Sequence, residues 1–217
     1  MTTRKTGPWV ILLHGMAQSS LSMGPLAHDL KREGYRVRNI GYPTRPYDVA
    51  GLAKRYLQPV VEDLGAQQPI HLVTHSLGGI LARWYLQDRE LPEGSRIVML
   101  APPNHGSEVA DFVRHWPIYR WIMGAVGQQL GTGPDSIVHQ LRPITAEVGV
   151  IAGNHSLQPW FSWLLPGEDD GTVSVSSTRL QEMRDFLVVD ASHTLVMFNG
   201  KVRRQVRHFL RHGRFMH

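Results

Sequence analysis

One serine, a few carboxylates and a late histidine in this 217-residue chain are spaced for nucleophilic chemistry. Ser76 lies in Thr74-His75-Ser76-Leu77-Gly78-Gly79. A serine hydroxyl is a weak nucleophile until a base takes its proton and a third group orients that base. The chain has 12 histidines, so position must select among them. His193, in Asp190-Ala191-Ser192-His193-Thr194, follows the last apolar run and is the candidate base. His105 is its main rival, His14 reads as a brace for the first loop, and His75 should point elsewhere. The candidate acid is Asp170, directly before Gly171-Thr172-Val173. Asp169 is the neighbour that could replace it, and Asp190 would leave the same strand end as the base. The order serine, acid, histidine is that of a hydroxyl nucleophile presented at a sheet edge. Glu168-Asp169-Asp170 reads as a solvated acidic turn, so neither a metal nor a cofactor is expected.

These groups need elements to position them. Ile70-His71-Leu72-Val73 reads as a buried strand and Ile80 to Leu86 as a helix, which puts Ser76 at a sharp strand-to-helix turn. Gly78 leaves room for the close approach of strand and helix. Apolar runs at 9–13, 35–40, 70–73, 96–100, 147–153 and 186–189 predict six strands. Helical patterns alternate with them: Ser22 to Gly34, Tyr47 to Leu64 with a kink at Pro59, and the C-terminal segment. This alternation predicts an α/β fold, a mainly parallel sheet with helices on both faces. A single domain over 1–217 is the simplest organisation.

Two segments interrupt the rhythm, His105 to Thr145 and His155 to Gly167. Both are rich in aromatic residues and both leave carboxyl ends of strands, where parallel sheets carry ligand sites. They are expected to form a cap with an apolar surface. An oxyanion generated by acyl transfer needs fixed donors. The backbone N–H groups of Leu77, at a helix start, and Met16, in His14-Gly15-Met16, are the candidates.

Composition excludes several classes. With 42% hydrophobic and 19% charged residues, the chain is globular rather than disordered. It has no cysteine, so no disulfide framework or thiolate metal site can form. The polar segment from Met1 to Pro8 has no apolar core, and no stretch is long enough to span a bilayer. A soluble, cytoplasmic protein is the expectation. Net charge is +5, and much of the excess is terminal: Lys201, Arg203, Arg204, Arg207, Arg211 and Arg214. These read as the solvated face of a helix that turns Val202, Val206, Phe209 and Leu210 inward. The functional alternative is attraction to an anionic membrane surface; nucleic acid is not expected as a partner.

Taken together, Leu12-Leu13-His14-Gly15-Met16, the Ser76 hexapeptide, Ala101-Pro102-Pro103-Asn104-His105-Gly106-Ser107, Asp169-Asp170-Gly171-Thr172-Val173 and His193 resemble the α/β-hydrolase superfamily. The likeness is to its lipase and esterase branch, and to compact bacterial lipases. Thr74 departs from the pattern, standing where that family has glycine. The resemblance implies hydrolysis of carboxylic esters, small-molecule or lipid, through an acyl-enzyme on Ser76. A thioesterase, an acyltransferase or a non-catalytic binder would keep the same fold.

Overall fold

The computed structural model describes residues 7–157 and 159–217. The first six residues of the polar N-terminal segment lie outside the described residues, as does Gln158 of the second aromatic segment. Six strands form one sheet: β1 (Trp9–Leu13), β2 (Arg36–Ile40), β3 (Ile70–His75), β4 (Arg96–Leu100), β5 (Glu147–Gly153) and β6 (Asp185–Val189). Their order is β2-β1-β3-β4-β5-β6, and every pairing is parallel. The first connection, from β1 to β2, goes to one edge; the chain then returns to place β3 on the other side of β1. That reversal leaves the carboxyl ends of β1 and β3 as a crevice, where ligands of open parallel sheets bind.

The sheet is buried on both faces, which explains why its central strands read as unbroken apolar runs rather than alternating ones. Along β1, Val10 and Leu12 face one core and Ile11 and Leu13 the other. The first core is closed by α1 (Gly24–Arg32) and, at the end of the chain, a long amphipathic helix. The second is closed by α2 (Val49–Leu52), α3 (Gln58–Leu64) and α4 (Leu77–Tyr85).

Local sequence explains how these helices begin. Ser19 caps a 3-10 turn over Ser20–Met23, accepting from the Leu21 N–H, and α1 follows directly. Asp48 caps α2 by accepting from the Gly51 N–H at 2.7 Å. The expected kink in the 47–64 helix takes the form of a π-helical turn over Ala53–Leu57, with Pro59 in the first turn of α3. Leu57 and Gln58 keep helical dihedrals, and the Gln58 N–H reaches back to Ala53 O, so Pro59 lies inside a continuous helical run and the wider π turn ahead of it accommodates its ring and missing N–H.

Between β4 and β5 lie α5 (Glu108–Val113), α6 (Pro117–Gly127) and α7 (Ile137–Gln140), and between β5 and β6 lies α8 (Pro159–Ser162). These fill the two segments that broke the sequence rhythm. The last helix, α9 (Gly200–His212), is N-capped by Asn199 and stopped by Gly213 in the left-handed conformation. Its inner face buries Val202, Val206, Phe209 and Leu210. Arg203 and Arg207 of α9 both pair with Asp29 of α1, at 2.9 and 3.0 Å. Arg207 and Arg211 also reach Glu33. Much of the terminal basic charge therefore joins helix to helix.

Candidate active site

Ser76 is the last residue before α4, and its backbone sits at φ 49°, ψ −119°. Only three non-glycine residues have positive φ among those described, and a serine there is held against its own preference. Two contacts pin the turn. The Ser76 N–H donates to Leu100 O at 2.9 Å, and Ser76 O accepts from the Gly79 N–H at 2.9 Å. The turn also forces α4 onto the end of β1. A Cβ at Gly78 would stand 2.6 Å from Leu13 O, so no other residue fits without moving that strand. Thr74 is fully buried in β3 just before the turn, and its hydroxyl has no hydrogen-bond partner among the described residues.

His193 opens the 3-10 helix His193–Phe198 after β6. Its Nε2 lies 3.0 Å from Ser76 Oγ, and its Nδ1 lies 2.8 Å from Asp170 Oδ2. A carboxylate only accepts, so Nδ1 carries the proton and Nε2 presents its lone pair to the serine hydroxyl. Asp170 is 2% exposed. A buried carboxylate needs full pairing, and Asp170 has it: Oδ1 accepts from the Thr172 N–H at 3.0 Å and the Val173 N–H at 2.8 Å.

The other candidates fall elsewhere. Asp169 Oδ1 accepts from Ser162 Oγ at 3.0 Å and from the Gly171 N–H at 2.7 Å, tying α8 to the acidic turn. Asp190 pairs with His155 at the surface, 3.1 Å away. His105 is exposed and outside the lining of the cleft over Ser76. His14 is buried under the first loop. Its Nδ1–H donates to Gly15 O at 2.8 Å, its Nε2 accepts from the Tyr42 N–H at 3.2 Å, and its ring stacks on Tyr42. Burial holds its pKa below the ordinary 6.5.

Three further residues shape the site, and of these Gln18 and Thr44 belong to no motif. His75 is buried beside Ser76 and His193, and its Nε2–H donates to the His193 carbonyl at 2.9 Å. Burial first, then the facing His193 ring, keeps His75 well below its ordinary pKa and so neutral. Gln18 Oε1 accepts from the Gly15 N–H at 3.4 Å, and Thr44 Oγ1 accepts from the Ala17 N–H at 3.2 Å. The N–H groups on either side of Met16 are thus occupied, while that of Met16 has no acceptor among the described residues. The Leu77 N–H opens α4, where intrahelical partners are missing. One N–H lies on the loop after β1 and the other at the start of α4, directly after Ser76.

Above these groups is a cleft of about 490 Å³. Val109 and Val113 of α5, Ile122 and Met123 of α6, and Phe161 of α8 give it mainly apolar walls, and Ser76 and His193 line it too. Ser107 links this roof to the acidic turn: its Oγ donates to Thr172 O at 2.6 Å and accepts from the Ala110 N–H to cap α5. No group of three or more metal-ligating side chains occurs among the described residues. No helix among them is long and apolar enough to cross a membrane.

A parallel six-stranded sheet with a strained serine at the carboxyl end of β3 defines an α/β-hydrolase architecture. The family model for alpha/beta hydrolases matches residues 10–203, and the chain belongs to that family. Comparison with curated protein sequences finds no match. Among solved structures, the fold is similar to the mature form of lipase BlEst2 from Bacillus licheniformis. That likeness has 22% identity, covers 94% of this chain and 91% of the other, and gives a TM-score of 0.70. It is also similar to a metagenomic carboxyl esterase, with 18% identity, 89% and 66% coverage and a TM-score of 0.68. A monoacylglycerol lipase from Paleococcus ferrophilus matches with 18% identity, 94% and 95% coverage and a TM-score of 0.62. At these identities the likeness speaks for the fold.

Proposed function

We propose that this protein hydrolyses carboxylic acyl esters through an acyl-enzyme on Ser76. The observation that carries the reading is the continuous hydrogen-bond chain from Ser76 Oγ through His193 to Asp170, at the floor of an apolar cleft. Serine, imidazole and carboxylate in that geometry are the parts of nucleophilic acyl transfer.

Ser76 Oγ attacks the ester carbonyl carbon as His193 Nε2 takes its proton. Negative charge moves to the carbonyl oxygen, where the N–H groups of Met16 and Leu77 receive it. Each such fixed donor is worth about 2.7–4 kcal/mol of barrier. Asp170 holds the imidazole in the tautomer that can accept and stabilises the imidazolium that results. The tetrahedral intermediate collapses, and His193 Nε2–H protonates the departing alkoxide. A water then enters, gives its proton to Nε2 and attacks the acyl carbon, releasing the acid and restoring Ser76. The apolar walls of α5, α6 and α8 receive the acyl chain, so 105–145 and 155–167 act as a cap.

Turnover of p-nitrophenyl butyrate tests this reading. Ser76→Ala should abolish it while the protein stays folded by circular dichroism. Wild-type protein that fails to turn over short and medium acyl esters, or a Ser76→Ala variant as active as wild type, would refute it. Product analysis with acyl-CoA and with an alcohol acceptor separates hydrolysis of oxygen esters from thioester cleavage and acyl transfer.

A further inference from the structure

Four of the chain's six tryptophans are exposed, and all four lie in the two segments over the cleft. Trp116, Trp121, Trp160 and Trp163 expose 46%, 63%, 62% and 70% of their surface, and Ile118 of α6 exposes 65%. Burying such rings is ordinarily favourable. Clustered exposure of this kind marks a surface that meets something else. Most of these residues are in mutual contact, Trp160 through Phe161 at 6.4 Å, and Trp121 stands one turn beyond Ile118 on α6. Phe112 packs edge-on against Trp116 at 5.5 Å, Phe161 at 6.5 Å and Trp163 at 5.8 Å, which joins α5 to the region of α8. The patch borders the cleft, since the exposed Trp116 and Ile118, together with Phe161, line the same cavity as Ser76.

Charge identifies what the patch fits. Residues 112–134 and 155–167 contain no aspartate or glutamate, and the exposed carboxylates Asp135 and Glu168 stand just beyond them. The first stretch carries Arg114 and Arg120, and Arg45 from the loop after β2 lies over the Trp121 ring at 4.4 Å. The carboxylate just before it, Asp111, is taken up by Thr132 N and Oγ1 at 2.8 and 2.6 Å, with Arg114 at 3.9 Å. Exposed indole rings beside arginines, without acidic residues between, suit the headgroup layer of an anionic bilayer: tryptophan sits at the membrane interface and cations are drawn to its surface charge. A second copy of this net-positive chain would instead bring like charges together.

We infer that the aromatic rim of α5, α6 and α8 docks on an anionic bilayer, with the mouth of the Ser76 cleft facing the lipid. The route it gives an acyl chain into the cleft rests on the proposed ester hydrolysis; the docking itself does not. Docked this way, an acyl chain passes from bilayer to cleft along a continuous apolar surface.

Vesicles of ether-linked phosphatidylcholine, with and without ether-linked phosphatidylglycerol, give the test, because they lack the ester bond. Wild-type protein should co-sediment with the anionic vesicles at least about tenfold more strongly than with the neutral ones, lose that preference at high salt, and shift its tryptophan emission to the blue. Trp121→Ala/Trp163→Ala and Arg120→Glu should each weaken binding on the order of tenfold. Neither changes a residue lining the cleft, so p-nitrophenyl butyrate turnover should stay within about twofold of wild type in both. Ser76→Ala should bind vesicles as wild type does, so vesicle binding by a protein without esterase activity supports docking and refutes hydrolysis alone. Equal binding to neutral and anionic vesicles, no binding to either, or a wild-type dimer that Trp121→Ala/Trp163→Ala dissociates would overturn the inference.

Discussion

Asp170 and His193 are joined twice. The His193 N–H donates to the Asp170 carbonyl at 3.0 Å, and the Asp170 carboxylate accepts from His193 Nδ1 at 2.8 Å. The backbone bond fixes the spacing of two loops that leave different strands, and the side-chain bond then forms without strain. Removing the carboxylate's charge should therefore change chemistry while leaving the loops in place.

Asp170→Asn keeps the backbone bond but offers the histidine an amide that can donate, which stabilises the wrong tautomer. Its kcat for p-nitrophenyl butyrate should fall by about 10⁴-fold with the melting temperature little changed. Asp169→Asn, which touches Ser162 and the Gly171 N–H instead, should stay within about tenfold of wild type. The reverse ranking would make Asp169 the orienting acid.

Thr44 is the remote support of the first loop. Its hydroxyl holds Ala17, whose φ of 55° is costly without that anchor. Thr44→Val removes one hydrogen bond of about 0.5–1.5 kcal/mol. If the neighbouring Met16 N–H receives the oxyanion, kcat should drop by roughly three- to tenfold while KM moves much less. A change confined to KM would place the loop in substrate binding instead.

Thr74 carries a buried hydroxyl that nothing satisfies among the described residues. Valine has the same shape without the polar group. Thr74→Val should raise stability by on the order of 1 kcal/mol, a gain of about 2–4 °C in Tm for a domain of this size. A Tm lowered by that amount would show that the hydroxyl is paired in solution.

His71 gives the fold an acid-sensitive point far from Ser76. Its Nδ1 accepts from the Arg96 N–H at 3.0 Å, and burial, reinforced by the Arg96 charge, lowers its pKa from 6.5 to about 4. The unfolded chain thus binds a proton at a pH where the folded one does not. Stability is unaffected above about 6.5 and falls as the pH drops from 6.5 towards 4, by on the order of 3 kcal/mol if His71 acts alone. His14 and His75 are lowered in the same direction and steepen the loss. Urea denaturation between pH 7 and 4 measures the slope. His71→Asn, which keeps an acceptor for the Arg96 N–H without a titrating group, should flatten it; an unchanged slope would assign the acid loss to other groups.

Much of this fold was legible in the chain, for physical reasons. Strands such as Trp9–Leu13 and Arg96–Leu100 are covered on both faces and so contain little but apolar residues. The edge strand β2, half-buried, reads less clearly and begins at Arg36 rather than Tyr35. The π-helical turn at Ala53–Leu57 leaves no mark on hydrophobic spacing, because it changes which carbonyl each N–H meets and not which face is apolar. At the site, Ser76 and His193 stand out by position in the strand-helix alternation. Asp169 and Asp170 differ only in which way a tight turn directs each carboxylate, and adjacent residues of one type carry no signal of that. Gln18 and Thr44 were invisible for a similar reason: each is one ordinary polar residue whose partner lies on another loop.

The central claim is that Ser76 is an activated nucleophile, and covalent labelling tests it most directly. Folded wild-type protein treated with a fluorophosphonate and mapped by peptide mass spectrometry should carry one adduct, on Ser76, and lose its ester hydrolysis in step with labelling. His193→Ala should remain unlabelled on the same timescale. Ester hydrolysis that persists after full exposure to the probe, with Ser76 unmodified, would contradict the account.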